Sequence, residues 1–149
     1  MRLSNGFDAN ASALTAQRLR MDVISSNIAN AETTRAGYVN GKFVPYTRKM
    51  VVMEPANKSF SDVLSGQMNG TAANPGVKVT KIVEDKTPPK LVYNPSHPDA
   101  DEFGYVSMPN VDIAKEMIDM ISASRSYEAN ITALNATKGM FAKALEIGR

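Results

Sequence analysis

The residues best suited to chemistry in this sequence are His97, Asp99, Asp101 and Glu102, one imidazole and three carboxylates within six positions. Such a set could hold a divalent cation or pass a proton between imidazole and carboxylate. The spacing matches no established metal loop. It lacks the glycine and terminal glutamate register of a calcium loop, and no His-Glu-x-x-His occurs. Pro95 and Pro98 bracket the histidine inside NPSHPDADEFG, residues 94–104, so the cluster reads as an ordered surface turn. Serine, threonine and tyrosine are abundant, but a nucleophile needs a partner base, and His97 is the single histidine. No Gly-x-Ser-x-Gly, phosphate loop or dinucleotide fingerprint is present, and the lack of cysteine removes disulfides, thiolate catalysis and Cys-based metal sites. Catalytic, cofactor-binding and metal sites are therefore expected to be absent, and no cofactor is expected.

Composition points away from two partner classes. The chain has 149 residues, enough for one sizeable core, and it is 43% hydrophobic and 21% charged. Its net charge of +2 is too small to argue for nucleic acid, and no Lys/Arg cluster reads as a phosphate-binding stripe. The first 50 residues lean basic, with seven Lys/Arg against Asp8, Asp22 and Glu32, a bias that suits a solvated surface. No stretch approaches the ~20 apolar residues of a membrane span. The segment after Arg2 is interrupted by Ser4, Asn5, Asp8 and Asn10, so it does not read as a cleavable secretory signal.

Three zones must position these residues: 1–37, a helix with its exit turn; 38–109, a β-rich insertion with long loops; and 110–149, a second helix. In the first, Phe7, Leu14, Met21 and Ile28 recur every seven residues, joined by Leu3, Ala11 and Ile24. Gly and Pro are absent from 7–36, so a helix is predicted over roughly 5–33, with Gly37 marking the exit. In the third, Ile113, Met120, Tyr127, Leu134 and Phe141 keep the same spacing, with Met117, Ile131 and Leu145 four positions after members of that series. A helix is predicted over roughly 110–147, with Asn110 as N-cap and Asp112 and Glu116 placed for the helix dipole. The middle zone holds all eight prolines, and extended runs show at 49–54, 77–84, 91–93 and 105–108, separated by loop-like 65–76 and 94–104. Asn-x-Ser/Thr sequons are common by chance, and those at Asn57, Asn130 and Asn135 include two within the predicted second helix.

The fold class expected is mainly α with a β-rich insertion, the long terminal helices packing as an antiparallel coiled-coil hairpin around a small irregular β region. A helix of ~37 residues is ~55 Å long and the first one ~40 Å, whereas a compact domain of this size is nearer ~30 Å across. Part of the second helix is then left unpaired, and its apolar surface needs another chain. The pattern is that of an assembly unit. Met117 and Met120, flexible and polarisable, would suit contacts with non-identical neighbours.

Two local motifs carry a resemblance. ISSNIANAET, residues 24–33, followed by Gly37-Tyr38, resembles the N-terminal signature of the flagellar axial proteins of rod, hook and hook-associated type. MISASRSYEAN, residues 120–130, is similar to the C-terminal helix of the same family. The loop VYNPSHPDAD at 92–101, with Gly104-Tyr105-Val106 and Met108-Pro109-Asn110-Val111, resembles basal-body rod members in particular. One departure stands out: axial proteins commonly carry proline just before the Gly-Tyr, whereas Thr34-Arg35-Ala36 precede Gly37 here. Residues 56–75 offer no specific match.

The resemblance implies a structural subunit of the proximal rod, polymerising through its terminal helices into the torque-transmitting shaft and the wall of an export channel. It implies export through the flagellar type III apparatus without cleavage, a place in the periplasmic rod of the basal body, and copies of itself and other rod proteins as partners. The subunit interface is then expected at Phe7, Leu14, Met21, Ile24, Asn27, Ile28, Asn30, Ile113, Met117, Met120, Tyr127, Asn130, Ile131, Leu134, Phe141 and Leu145. Asn27, Asn30 and Asn130 would hydrogen-bond backbone across subunits, and Arg125 and Glu128 are the expected inter-subunit ion pairs. Alternatives are a distal-rod or hook subunit, a coiled-coil adaptor forming a closed oligomer, and a metal-dependent hydrolase built on His97.

Overall fold

The computed structural model describes residues 4–39, 41–56, 64 and 76–147. Helix α1 spans Ser4–Ala29, and helix α2 spans Ile113–Ile147. Among the described residues six strands run between them: β1 (Gly37–Val39), β2 (Lys42–Val44), β3 (Lys49–Pro55), β4 (Val77–Glu84), β5 (Lys90–Tyr93) and β6 (Tyr105–Met108). They pair as three separate two-stranded ribbons, β1–β2, β3–β4 and β5–β6. The expected loop at 65–76 lies outside the described residues except for Gly76.

Helix α1 ends at Ala29, short of the expected 33, because the chain turns there. The Asn30 amide side chain donates to Ser26 O at 2.9 Å, Ala31 N reaches Ile28 O at 3.2 Å, and Thr33 N reaches Asn30 O at 3.1 Å, so the last carbonyls are satisfied by a tightening turn. The exit leads into the β1–β2 hairpin. Tyr46 N donates to Thr33 O and Ala36 N to Val44 O, each at 3.0 Å. Proline at position 36 would lose that second bond, so the departure from the common axial pattern has a local use. The hairpin pairs Gly37 with Val44, Tyr38 with Phe43 and Val39 with Lys42. Gly41 takes the left-handed conformation at φ 83° that an L side chain resists.

Helix α2 starts at Ile113, and its N-cap is Asp112 rather than Asn110. Asp112 Oδ1 accepts from Ala114 N at 3.0 Å and from Lys115 N at 3.4 Å, satisfying two of the free first-turn amides. Asn110 is displaced from that role because Pro109 and Val111 on either side of it are buried.

The chain folds as two compact units, each drawing on both terminal helices and on the middle segment. In the unit made of Arg20–Val51 and Ile82–Ile121, α1 and α2 pack antiparallel, with Arg20 against Asp119 at 3.2 Å and Asn27 against Glu116 at 3.0 Å. The β5–β6 ribbon of this unit pairs Lys90 with Met108 and Tyr93 with Tyr105. In the other unit, Ser12 Oγ donates to Ala9 O and accepts from Val77 N, pinning the start of β4 to α1.

The stripe of α1 that is buried is not the one the seven-residue spacing selects. Ala16, Val23, Ile24 and Asn27 are buried, whereas Phe7 is 42% exposed and Leu14, Met21 and Ile28 are half-buried. The two stripes lie roughly a third of a turn apart at 3.6 residues per turn. Seven apolar side chains are buried among the described residues, namely Ala16, Val23, Ile24, Val106, Pro109, Val111 and Ala123. The two alanines contribute little, while each buried Val or Ile contributes about 1.5–3 kcal/mol.

Gly104 offers a direct check on the β5–β6 turn. Its φ is 77°, and an added Cβ would lie 3.0 Å from Tyr93 Cε2 and 3.3 Å from Pro95 Cβ. Gly104→Ala should cost about 1–2 kcal/mol from the left-handed conformation alone, read as a lowered urea midpoint with an unchanged slope.

Candidate functional site

The one acidic residue in the first turn of α2 is Glu116, and it is 1% exposed. A carboxylate taken out of water needs both hydrogen bonds and a countercharge. Two chain segments supply them. Arg48, in the connection from β2 to β3, donates through Nε to Glu116 Oε1 at 2.7 Å, with Nη2 at 2.6 Å from the same oxygen. Asn27, from the last turns of α1, donates through Nδ2 to Glu116 Oε2 at 3.0 Å.

Asn27 is itself 1% exposed, and its amide has no capacity left over. Nδ2 also donates to Lys49 O at 2.8 Å, while Oδ1 accepts from Lys49 N at 2.9 Å and from the Tyr46 hydroxyl at 3.0 Å. The side chain thus pairs with the backbone of the first β3 residue as a neighbouring strand would. Arg48 has further partners: Asp85 Oδ2 lies 3.5 Å away and Asp119 Oδ2 4.0 Å away. Arg48 O also accepts from Asp85 N at 2.8 Å. Burial opposes the Arg48 charge, yet the hydrogen bonds and charges of Glu116 and Asp85 outweigh it and hold its pKa above the ordinary arginine value. The Thr87 hydroxyl and amide first, and then Arg48, keep the Asp85 carboxyl below its ordinary range against the opposing effect of burial.

A second polar cluster ties the 94–104 loop to the exit of α1. Arg35 Nε donates to Asp99 Oδ1 at 2.7 Å, its Nη2 contacts the same oxygen, and the Thr34 hydroxyl donates to Asp99 Oδ2 at 2.8 Å. The Arg35 guanidinium also sits over the Phe43 ring, 4.9 Å from its centroid. Hydrogen bonds from Arg35 first and Thr34 second lower the Asp99 pKa, the charge of Arg35 adding to them against burial. His97 Nδ1 accepts from Asp99 N at 3.1 Å, and Asp101 Oδ1 accepts from Glu102 N at 2.9 Å. The His97, Asp99 and Asp101 side chains are thus spent on loop geometry. Among the described residues no group of three or more His, Asp or Glu converges on a common point.

The sequence-predicted interface residues scatter by environment. Ile24 and Asn27 are buried within the chain, so Asn27 has no hydrogen bond to offer a neighbour. Asn30 and Asn130 donate to carbonyls four residues back, Ser26 O and Ser126 O, at 2.9 and 2.8 Å. Arg125 and Glu128 pair with each other at 3.0 Å on the exposed face of α2. Leu14, Met21, Ile28, Met120, Tyr127, Ile131, Leu134 and Phe141 are half-buried, and Phe7, Ile113, Met117 and Leu145 are exposed.

Sequence reasoning missed two features. One is the Arg48–Glu116 pair, whose partners lie far apart in the chain. A hint lay in Asn27, a polar residue flanked by Ile24 and Ile28. The other is the breadth of the apolar surface on α2: Ile118 and Ile121, 68% and 59% exposed, accompany Ile113 and Met117 at 45% and 54%. A strict seven-residue template excludes the first two.

Paired terminal helices around a β insertion, with a buried polar hub and an outward apolar ridge, have the build of a structural subunit. Comparison with known proteins agrees. Residues 7–36 match the family model described as Flagella basal body rod protein, and 103–147 match that described as Flagellar basal body rod FlgEFG protein C-terminal. Flagellar basal-body rod protein FlgC of Bacillus subtilis (strain 168) is 58% identical over 150 residues, covering 100% of both chains. FlgC of Salmonella typhimurium is 45% identical over 149 residues, again covering 100% of both. FlgC of Borreliella burgdorferi is 44% identical over 153 residues, covering 99% of this chain and 98% of its own. The chain belongs to the FlgC family of flagellar basal-body rod proteins. Neither matching model describes a catalytic family, and among the described residues no helix is long and apolar enough to cross a membrane.

Two tests follow from the geometry. Asn27→Asp keeps shape but points a carboxylate at Glu116 and at Lys49 O. An uncompensated buried charge of this kind costs about 3 kcal/mol or more, visible as a large drop in thermal midpoint that narrows at low pH, where the new carboxyl is protonated. The second concerns Asp99. Its folded pKa lies below the unfolded value of ~3.9, so its contribution is present above that pH and is lost as pH falls through the folded value. Asp99→Asn should flatten the acid side of a stability–pH profile below about pH 4 and leave the profile near neutrality parallel to the parent's.

Proposed function

We propose that this protein is a non-enzymatic structural subunit of the proximal rod, assembling through its terminal helices with other rod proteins and with copies of itself. The observation that carries the reading is the end-to-end relationship to FlgC rod proteins, 58% identical with every residue of both chains covered. Helical assembly requires heterologous contacts, in which one face of a subunit meets a different face of the next. The exposed ridge of Ile113, Met117, Ile118 and Ile121 supports such a contact, because contiguous exposed apolar surface marks sites of association. Phe7, Leu14, Met21 and Ile28 on α1 supply a second apolar stripe that the chain's own core uses only partly. The exposed Arg125–Glu128 pair is worth little within one chain, and its members are free to exchange partners on assembly.

As a rod subunit the chain works in the basal body, forming part of the shaft that transmits torque and of the wall of the export channel. Its route there is the flagellar type III export apparatus, without cleavage of a leader. Nucleic acid has no place in this reading, in keeping with the net charge of +2.

Deletion and complementation of the gene test the reading, scored by motility and by electron microscopy of purified basal bodies. The deletion strain should lack a completed rod, and the wild-type chain should restore it; complete, rotating basal bodies without this chain would sink the assignment. The ridge is tested in the same strain. Met117→Asp with Ile118→Asp should change monomer stability by only about 0.5 kcal/mol, as exposed substitutions do, yet fail to restore the rod.

A further inference from the structure

We propose that the Asn27–Glu116–Arg48 hub is a conformational latch, which makes the pairing of α1 with α2 conditional on β3 being in place. The reasoning starts from Glu116, whose carboxylate is 1% exposed where α2 meets α1. Helix α1 offers it one neutral donor, Asn27 Nδ2 at 3.0 Å. The charges of the two helices do not fill the gap. Arg20 of α1 is engaged with Asp119 at 3.2 Å, at a partly exposed rim. The countercharge is Arg48, which belongs to neither helix and lies beside the first residue of β3.

Arg48 reaches Glu116 only when β3 is seated. Its carbonyl accepts from Asp85 N at the exit of β4, and its guanidinium is flanked by Asp85. The next residue, Lys49, has both backbone polar groups held by the Asn27 side chain. Two helices closing on each other before β3 docks would enclose a carboxylate with no opposite charge and an amide with half its bonds unmade. Both are strongly unfavourable in a site without water. The latch thus keeps two apolar-striped helices from settling together while the insertion is unfolded, and selects this register once it is folded. Comparable buried polar groups fix register in coiled coils at a cost in stability.

The chain contains no cysteine, so Arg20→Cys with Asp119→Cys places the only two thiols at the rim of the helix seam. A short bis-maleimide, added to the dilute full-length chain, reports whether the helices are paired. The β3 ladder is broken by Met50→Pro with Val51→Pro, which removes two successive amide N–H groups. The pair is made in three backgrounds: the native hub; an apolar hub carrying Asn27→Leu, Arg48→Met and Glu116→Met; and the near-isosteric Glu116→Gln, which removes the charge alone. With the native hub, the prolines should lower intramolecular bridging by about tenfold or more, as loss of one partner of a buried pair does. In the apolar background bridging should stay within about twofold of the parent without prolines, since a buried pair replaced by apolar groups is near neutral. With Glu116→Gln, which leaves Asn27 with half its bonds unmade, the loss should be smaller than with the native hub. Undiminished bridging in the native background would overturn the latch, and so would equal loss in all three, which would assign the need for β3 to packing.

Discussion

The constraint on which the structure turns is the carboxylate of Glu116, held almost wholly out of water where α2 meets α1. A buried ion pair adds little net stability, because desolvation consumes most of the Coulomb gain. Its effect is geometric. Arg48, Asn27 and Glu116 must sit within hydrogen-bonding distance of one another, and that demand places the β2–β3 connection, the end of α1 and the start of α2 at one point. In the unit made of Arg20–Val51 and Ile82–Ile121, the buried apolar side chains among the described residues are Val23, Ile24, Val106, Pro109 and Val111, and the polar contacts add a direction that apolar burial lacks.

The same economy of apolar burial explains what is left outside. Two-stranded ribbons are marginal by themselves, and here all six residues of β1 and β2 are exposed while β5 turns Leu91 and Tyr93 outward. Local interactions compensate: Tyr38 packs edge-on to Phe43, Tyr93 packs edge-on to Tyr105, and Arg35 caps Phe43 while holding Asp99. A chain that keeps large apolar side chains on both its ribbons and its second helix is organised for contact with neighbours, which is what membership in a family of rod proteins entails.

Much of the fold was legible in the sequence. The runs at 77–84 and 105–108 are strands with those bounds, and the other two runs differ by a single residue at one end. The β1–β2 hairpin was not anticipated, although Asn40-Gly41 between two short apolar runs is a recognised hairpin signal. Gly37 both ends the helix exit and opens β1, and composition alone does not separate the two roles. The cap of α2 moved from Asn110 to Asp112 because both residue types suit the role, and burial of Pro109 and Val111 chose between them.

By itself, the sequence determined two terminal helices, a β-rich middle, the lack of thiol chemistry and the resemblance to flagellar axial proteins. Periodicity, turn formers and local motifs are properties of neighbours in the chain and survive without a fold. Tertiary structure alone decided which face of α1 is buried, that Asn27 serves the chain's own interior, and that the His97 cluster is spent on a loop held by Arg35. It also decided that Glu116 is a buried charge answered by Arg48, 68 residues away. The reason is that helical spacing shows that a stripe exists but not what covers it. A carboxylate's role depends on the charge that folding brings beside it, and sequence separation carries no record of that meeting.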